Sequence, residues 1–448
     1  MPDSLTGGPT VPRGPPSIFA VVTDIGGTGS PRFPGGLPTG PVARASMARV
    51  GTATLLSALC GYAVLYLAAR DLDPAGFSVF GVFWGAFGLV NGAANGLLQE
   101  TTREVRFGLA ALEASPGTSG GAHTRPLRVA GLAGLVAAGV VAASSPLWSG
   151  HVFVEARWLS VGLLSFGLAN FAVHATLLGM LAGANRWTQY GALMVTDAGI
   201  RVAVATATFF IGWGLVGFLW ATVTGAVAWL LLLAASPAAR SAARLLTPVS
   251  TREFLRGAAH SITAAGASAI LVMGFPVLLQ ATYGELGAAG GVVILAVTVT
   301  RAPLLVPLTA MQGNLIAHFV DQSGRRLRAL STPAAAVAAL GAVGAVAAGL
   351  LGPWLLRTVF GSDYRASGLL LAGLTMAATA IALLTLTGVA TVAAALHRAY
   401  ALGWVGATVA STLLLLLPLD LPTRTVVALL CGPLVGIGVH LVALRSDS

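Results

Sequence analysis

Apolar positions gather into twelve long runs with short polar stretches between them. They fall near 47–68, 75–98, 127–148, 158–182, 189–212 and 215–235, and then near 257–281, 290–312, 332–356, 367–396, 399–418 and 425–444. Each approaches the roughly 20 residues an α-helix needs to cross a bilayer. The pattern predicts an all-α integral membrane protein of about twelve transmembrane helices. Six fall in an N-terminal lobe, 44–240, and six in a C-terminal lobe, 250–445. An even number per half makes the halves parallel repeats, related by an axis along the membrane normal. Leu72-Asp73-Pro74-Ala75-Gly76-Phe77 before run 2 is faintly echoed by Leu286-Gly287-Ala288-Ala289-Gly290-Gly291 at run 8. Residues 1–43 are rich in Pro, Gly and Ser without periodicity, and read as a disordered cytoplasmic tail. Because Met47 opens run 1, translation from Met47 is an alternative reading.

Composition agrees with the pattern. The chain is 56% hydrophobic and 9% charged, whereas soluble domains carry about 25% charge. All 25 basic residues are Arg, and the net charge is +10. Their placement argues against nucleic acid as a partner. With the N-terminus inside, alternating loops put eighteen arginines on the inner side and five on the outer, leaving Arg201 and Arg301 inside runs. This is the positive-inside bias, and it predicts a multi-pass protein with both termini cytoplasmic; arginine without lysine and abundant Ala and Gly suit a GC-rich bacterial genome, so the bacterial cytoplasmic membrane is the expected location. Trp148, Trp158, Trp187, Trp213 and Trp354 lie at run ends, as an interfacial belt requires. Cys60 and Cys431 fall inside runs and offer neither a disulfide framework nor metal-ligand spacing.

No loop is long enough for a soluble catalytic domain, and no P-loop or HExxH pattern occurs. The reading is therefore a non-enzyme without cofactor or metal. Candidate chemistry lies in the polar residues that hydrocarbon should exclude. Asp197 and Arg201 stand four apart in run 5 and share a helix face; they are either a structural pair or, with Asp197, an ion-coupling site. Arg301 in run 8 has no carboxylate three or four positions away. Pro303 and Pro307 follow it, so an opened helix and a cavity lining are expected, against pairing with Asp197 or another distant carboxylate. Asn91, Asn95, Gln99 and Arg103 form one drifting stripe in run 2, readable as interhelical glue or as a polar wall. Asn170 and His174 repeat the spacing in run 4, with His174 a packing residue or a proton relay. Gln312 and Asn314 end run 8, and Pro276 interrupts run 7. Gly341-Ala342-Val343-Gly344-Ala345 permits close packing of run 9.

Three stretches carry a family resemblance. Arg70-Asp71-Leu72-Asp73-Pro74-Ala75-Gly76-Phe77-Ser78-Val79-Phe80 resembles the first outer loop of the polysaccharide and oligosaccharide flippases, with Asp73 where that family has Gly. These flippases belong to the multidrug/oligosaccharidyl-lipid/polysaccharide exporter superfamily. Gln99-Glu100-Thr101-Thr102-Arg103-Glu104 resembles the end of their helix 2, and Thr300-Arg301-Ala302-Pro303 their helix 8. The resemblance implies a V-shaped bundle of two six-helix lobes around a central cavity. It implies alternating-access flipping of a polyprenyl-diphosphate-linked oligosaccharide from inner to outer leaflet for polysaccharide export. Partners would be that lipid-linked glycan, membrane lipids and other glycan-assembly membrane proteins. Arg103, Arg106 and Arg256 would collect the head group, and Arg201 and Arg301 would receive it, since guanidinium grips phosphate bidentately. Rival readings are a cation-coupled drug or small-molecule exporter of the same fold, a membrane-embedded glycosyl or acyl transferase, and a non-transporting subunit of an export complex.

Overall fold

A computed structural model describes residues 41–114, 123–322 and 326–446. The chain from Ala48 onward forms one compact unit, and nearly all of the tail expected over 1–43 lies outside the described residues. The helices are α1 (Pro41–Asp71), α2 (Pro74–Ala114), α3 (Pro126–Val152), α4 (Arg157–Gly183) and α5 (Trp187–Ile211). Helix α6 runs as α6a (Gly214–Thr224), a 3₁₀ turn over Gly225–Val227, and α6b (Ala228–Ala235). Helix α7 is divided into α7a (Thr251–Val272) and α7b (Phe275–Tyr283). Then come α8 (Gly287–Ala310), α9 (Arg326–Phe360), α10 (Gly368–Ala393), α11 (His397–Leu415) and α12 (Leu421–Ser446). Among the described residues ten helices are long and apolar enough to cross a membrane, or eleven with the α7 pair, which bends by 64°. Helix α11 completes the expected twelve; its 19 residues span about 28 Å. Its first turn carries His397, Arg398 and Tyr400.

Local sequence explains the ends. Proline opens α2 and α3, where its missing N–H costs nothing. Ser250 and Glu253 form a reciprocal capping box at α7a, Ser367 caps α10, and Gly212, at φ 73°, ends α5. Two elements depart from the hydropathy runs. Helix α2 continues well past residue 98, and Gln312–Asp321 is a separate short helix that buries Phe319.

Burial repeats with an offset of six helices. In their most apolar windows α3 and α9 are only 17% and 11% buried, while α4 and α10 are 61% and 67% buried. In each lobe a peripheral helix is thus followed by a central one. The turns after the central helices match in detail. Asn185 and Ala395 take left-handed φ of 56° and 60°. Arg186 N donates to Leu181 O and Asn185 N to Ala182 O; Leu396 N donates to Thr391 O and Ala395 N to Val392 O. Both are Schellman ends. This repeat is firmer than the Leu72/Leu286 echo, yet those two echoing segments meet in space: Gly291 packs on the Pro74 carbonyl and Gly290 beside Ser78.

The lobes join along a seam between α2 and α7. Gly85 and Gly88 of α2 bring the backbone against Met273 and Pro276, Gly92 against Ala269, and Gly96 against the Ser261–Ile262 backbone. These glycines recur every three or four residues, so one face of α2 lacks side chains and α7 lies directly on it. At the end of the bundle bearing Arg70 and Arg365, Tyr364 of the α9–α10 turn donates to Leu72 O at 3.1 Å and meets Phe77 edge-on at 5.9 Å. Burial holds the Tyr364 phenol above the usual tyrosine range, so it stays a donor.

Candidate functional site

The two arginines inside the bundle are both held by backbone carbonyls that lack a helical partner. In an α-helix the carbonyl of residue i accepts from N–H of i+4. For Val272 that donor would be residue 276, which is proline, so the carbonyl is orphaned and α7 breaks there. Arg301 Nη1 supplies the missing donor from α8 at 2.9 Å. The same logic holds in the N-terminal lobe. Ala226 lies in the 3₁₀ turn, where N–H groups reach back only three residues. Thr222 O is thereby released, and Arg201 Nη1 of α5 donates to it at 2.7 Å.

Arg201 also donates to Asp197 Oδ1 through Nε at 3.1 Å and Nη2 at 3.0 Å, the pairing their spacing predicts. Its guanidinium lies 5.1 Å from the Phe87 ring centroid, a favourable cation–π position. Gly225 of the 3₁₀ turn sits directly against Asp197 and Arg201, where any side chain would collide. This pair is a buried knot of the N-terminal lobe. His174 lies within electrostatic reach of both charges, is stacked on Phe171, and has a buried Nδ1 without a hydrogen-bond partner.

Arg301 differs from Arg201 in having no carboxylate partner among the described ion pairs. Asp197, one candidate partner, is occupied by Arg201. The guanidinium lies 5.5 Å from the Phe275 ring centroid and interacts electrostatically with Tyr62 of α1, while its Nη2 is buried without a partner. The expected opening of α8 is corrected: α8 runs unbroken through Pro303 and Pro307, and the broken helix beside Arg301 is α7. The cavity next to it has a volume of about 230 Å³ and is lined by Tyr62, Leu65 and Tyr66 of α1, Leu295, Thr298, Val299 and Ala302 of α8, and Phe360. It lies between the lobes and is apolar and aromatic, without arginine in its wall.

The remaining predicted residues do not converge. Asn91 is half-buried with an unpartnered Oδ1, and Asn95 and Arg256 are exposed. Arg103 is tied at 2.7 Å to Glu100 and at 2.9 Å to Glu104. Both carboxylates are buried, which the sequence does not signal, since they sit in an otherwise basic stretch. Glu100 presses on Gly257 and accepts from Ser261 of α7, so Arg103 belongs to a cluster that closes the seam. A second overlooked cluster is His440 of α12, fully buried, with Nδ1 3.0 Å from Thr387 Oγ1 and Nε2 3.3 Å from Tyr400 O.

The fold these elements build is that of transporters in the superfamily named above. An inward-facing multidrug resistance MATE family transporter of the MOP superfamily superimposes with TM-score 0.68 at 14% identity, covering 90% of this chain and 98% of that one. The outward-facing form gives 0.61 at 15% identity, covering 90% and 94%. A MOP superfamily transporter from Pyrococcus furiosus, described as having a binding pocket of reverse polarity, gives 0.57 at 14%, covering 90% and 96%. No family model matches the chain. It belongs to the same family as two proteins of Mycobacterium tuberculosis strain H37Rv: uncharacterized protein Rv3630, 72% identical over 96% of this chain and 99% of the relative, and uncharacterized protein Rv1510, 67% identical over 94% and 95%.

Proposed function

We propose that this protein is a membrane transporter that flips a lipid-linked, polyprenyl-diphosphate oligosaccharide from inner to outer leaflet of the bacterial cytoplasmic membrane for cell-surface polysaccharide export. One observation carries the reading: the buried, carboxylate-free Arg301 stands beside an apolar inter-lobe cavity. Such a cavity suits a hydrocarbon chain, and a guanidinium at its edge suits the phosphate that such a chain carries. The carboxylates Asp197, Glu100 and Glu104 are each engaged by arginine, which leaves anionic cargo the better electrostatic match. The Pyrococcus furiosus transporter, described as having a binding pocket of reverse polarity, gives a precedent on this fold for a pocket that takes a different charge. In this reading Arg256 and Arg103 meet the head group at the cytoplasmic mouth, both termini are cytoplasmic, and the Arg-rich loops face the anionic leaflet.

A second reading, a cation-coupled drug exporter of the same fold, draws on two observations. Structural neighbours include multidrug resistance transporters, and His174 with its free Nδ1 lies near Asp197, where the pair could carry a coupling ion. Purified protein in proteoliposomes separates the readings. Flippase activity should move a fluorescent polyprenyl-diphosphate oligosaccharide into the outer leaflet and leave a lipophilic cationic dye undisturbed. Uptake of the dye under a pH or Na⁺ gradient, with no lipid flipping, would replace the first reading by the second.

A further inference from the structure

His440 of α12 is fully buried, in a slot shaped for its ring. Gly388 of α10 and Gly403 of α11 border the imidazole, and a side chain at Gly403 would collide with Nε2. The ring bridges three helices, with Nδ1 3.0 Å from Thr387 Oγ1 of α10 and Nε2 3.3 Å from the Tyr400 carbonyl of α11. Thr387 Oγ1 also lies 3.0 Å from Leu384 O of its own helix. Counting protons over these three contacts is informative. Leu384 O and Tyr400 O only accept, while a neutral imidazole and a hydroxyl hold one donor proton each. Two protons therefore serve three contacts. One more proton on the ring completes them: Nδ1–H donates to Thr387, Thr387 to Leu384 O, and Nε2–H to Tyr400 O. Its removal returns the Thr387 hydroxyl to Nδ1 and leaves Leu384 O to its helical N–H. The two states differ by one proton and one hydroxyl rotation, with every heavy atom in place.

The surroundings connect this slot to the seam between the lobes. Helix α10 contributes no charged residue, α11 has His397 and Arg398 in its first turn, and α12 has Arg445 beyond His440. The titratable group in contact is Tyr400, whose ring lies within 3° of parallel to the imidazole. Among the described ion pairs none includes His440. The Tyr400 phenol interacts with Ser268 of α7a, and Thr408 of α11 donates to Ala267 O of α7a at 3.4 Å. Helix α7a in turn lies on the glycine face of α2. A change in how α12 grips α11 thus reaches the seam through one layer of packed helix.

We propose that His440, with Thr387 and the Tyr400 carbonyl, is a proton-binding site of the C-terminal lobe whose occupancy is coupled to the separation of the lobes. A proton from water at the end of the bundle bearing the α10–α11 turn forms the Nδ1–H bond, and Thr387 turns its own proton to Leu384 O. The protonated ring clamps α10, α11 and α12 with three hydrogen bonds, and the neutral ring keeps two. Because α11 bears on α7a, conformations in which the lobes meet and part hold this proton unequally, and binding it shifts their balance. The site is separate from Asp197 and His174, which lie in the other lobe. It rests on the transporter fold and on neither choice of cargo.

The test uses full-length protein in neutral-lipid nanodiscs, with Cys60→Ser and Cys431→Ser. Nitrogen-15 NMR of labelled histidine reads ring protonation directly, and His440→Gln identifies the His440 signal among the seven histidines. That signal should titrate reversibly within about pH 5–8, where histidine serves as a switch. Spin labels at Ala110→Cys of α2 and Arg398→Cys of α11, both exposed, report the distance between the lobes. Their distance distribution should change with pH about the same midpoint, and His440→Gln should abolish the change. Thr387→Val keeps the ring but removes the hydroxyl, so it should move both midpoints together by at least about 0.5 pH unit. A ring that keeps one protonation state throughout, a distance response that survives His440→Gln, or midpoints that part company in Thr387→Val would each overturn the proposal. A response lost in His174→Gln and kept in His440→Gln would place the proton in the N-terminal lobe and overturn it likewise. No cargo enters these measurements, so their failure leaves the flippase reading standing. Coupled titration in a protein that flips no lipid-linked oligosaccharide would support the proton site and remove that reading alone.

Discussion

Replacing Asp197 and Arg201 singly and together measures what the buried pair contributes. The side chains are 17% and 11% exposed, so solvent screens them little. Losing one partner of a buried pair costs about 3–5 kcal/mol, because the other charge is left uncompensated. Asp197→Asn removes the carboxylate charge but leaves Arg201 on Thr222 O, so about 3 kcal/mol is expected. Arg201→Gln strands the Asp197 charge and also orphans the Thr222 carbonyl. The carbonyl adds about 1 kcal/mol, in line with the modest hydrogen-bond values found in membrane proteins, for a total of about 4 kcal/mol. The double substitution removes both charges and retains only the carbonyl and packing losses, about 2 kcal/mol. Independent sites would instead sum to about 7 kcal/mol. Reversible denaturant unfolding of the purified protein in mixed micelles, followed by tryptophan fluorescence, gives the four free energies. A double variant as unstable as the sum of the singles would refute the view that Asp197 and Arg201 act as one neutral unit.

Ala395, with φ 60° in a Schellman position, should tolerate glycine better than alanine, so Ala395→Gly should raise stability by about 0.5–1 kcal/mol in the same assay; a loss would contradict the turn assignment. Gly96 faces the Ser261–Ile262 backbone, whereas nothing lies within 4 Å of a Cβ at Gly61. Gly96→Ala should therefore destabilise by about 1–3 kcal/mol through overpacking of the seam, and Gly61→Ala should be neutral or stabilising by up to about 1 kcal/mol; equal effects would contradict the packing. Reporter fusions beside Arg125, Arg244 and Arg326 should register the cytoplasmic face and a fusion at Asp363 the opposite one. Agreement between Asp363 and Arg326 would contradict the alternation.

The bundle was legible in the sequence because hydropathy and arginine placement each act locally. Runs of about twenty apolar residues translate directly into helices, and the spacing of Asp197 and Arg201 alone fixes that they share a face. What escaped is non-local. That Pro276 orphans Val272 O follows from the i+4 rule, but nothing local says that Arg301, 29 positions away, supplies the donor. The prolines next to Arg301 suggest an opened α8, but a bundle-buried helix tolerates them and the broken element is its neighbour. Glu100 and Glu104 are masked by the basic residues around them, and the α7 partners of Glu100, Gly257 and Ser261, lie more than 150 positions onward. The repeat missed the Schellman turns because backbone geometry, with Asn185 in one copy and Ala395 in the other, outlasts residue identity. The glycine face of α2 was readable at its three- and four-residue spacing. The same small-residue logic holds at Gly341 of α9, which makes close contact with Thr379 of α10.

The most direct measurement of the central claim is leaflet-resolved quantification of lipid-linked oligosaccharide in cells depleted of this protein. Cells would be complemented with the parent chain, Arg301→Lys or Arg301→Gln at equal membrane abundance. Depletion should trap polyprenyl-diphosphate oligosaccharide in the inner leaflet. The parent should clear it, Arg301→Lys should clear it several-fold more slowly, and Arg301→Gln should leave it trapped. Normal outer-leaflet delivery in depleted cells, or full clearance by a well-inserted Arg301→Gln protein, would contradict the account.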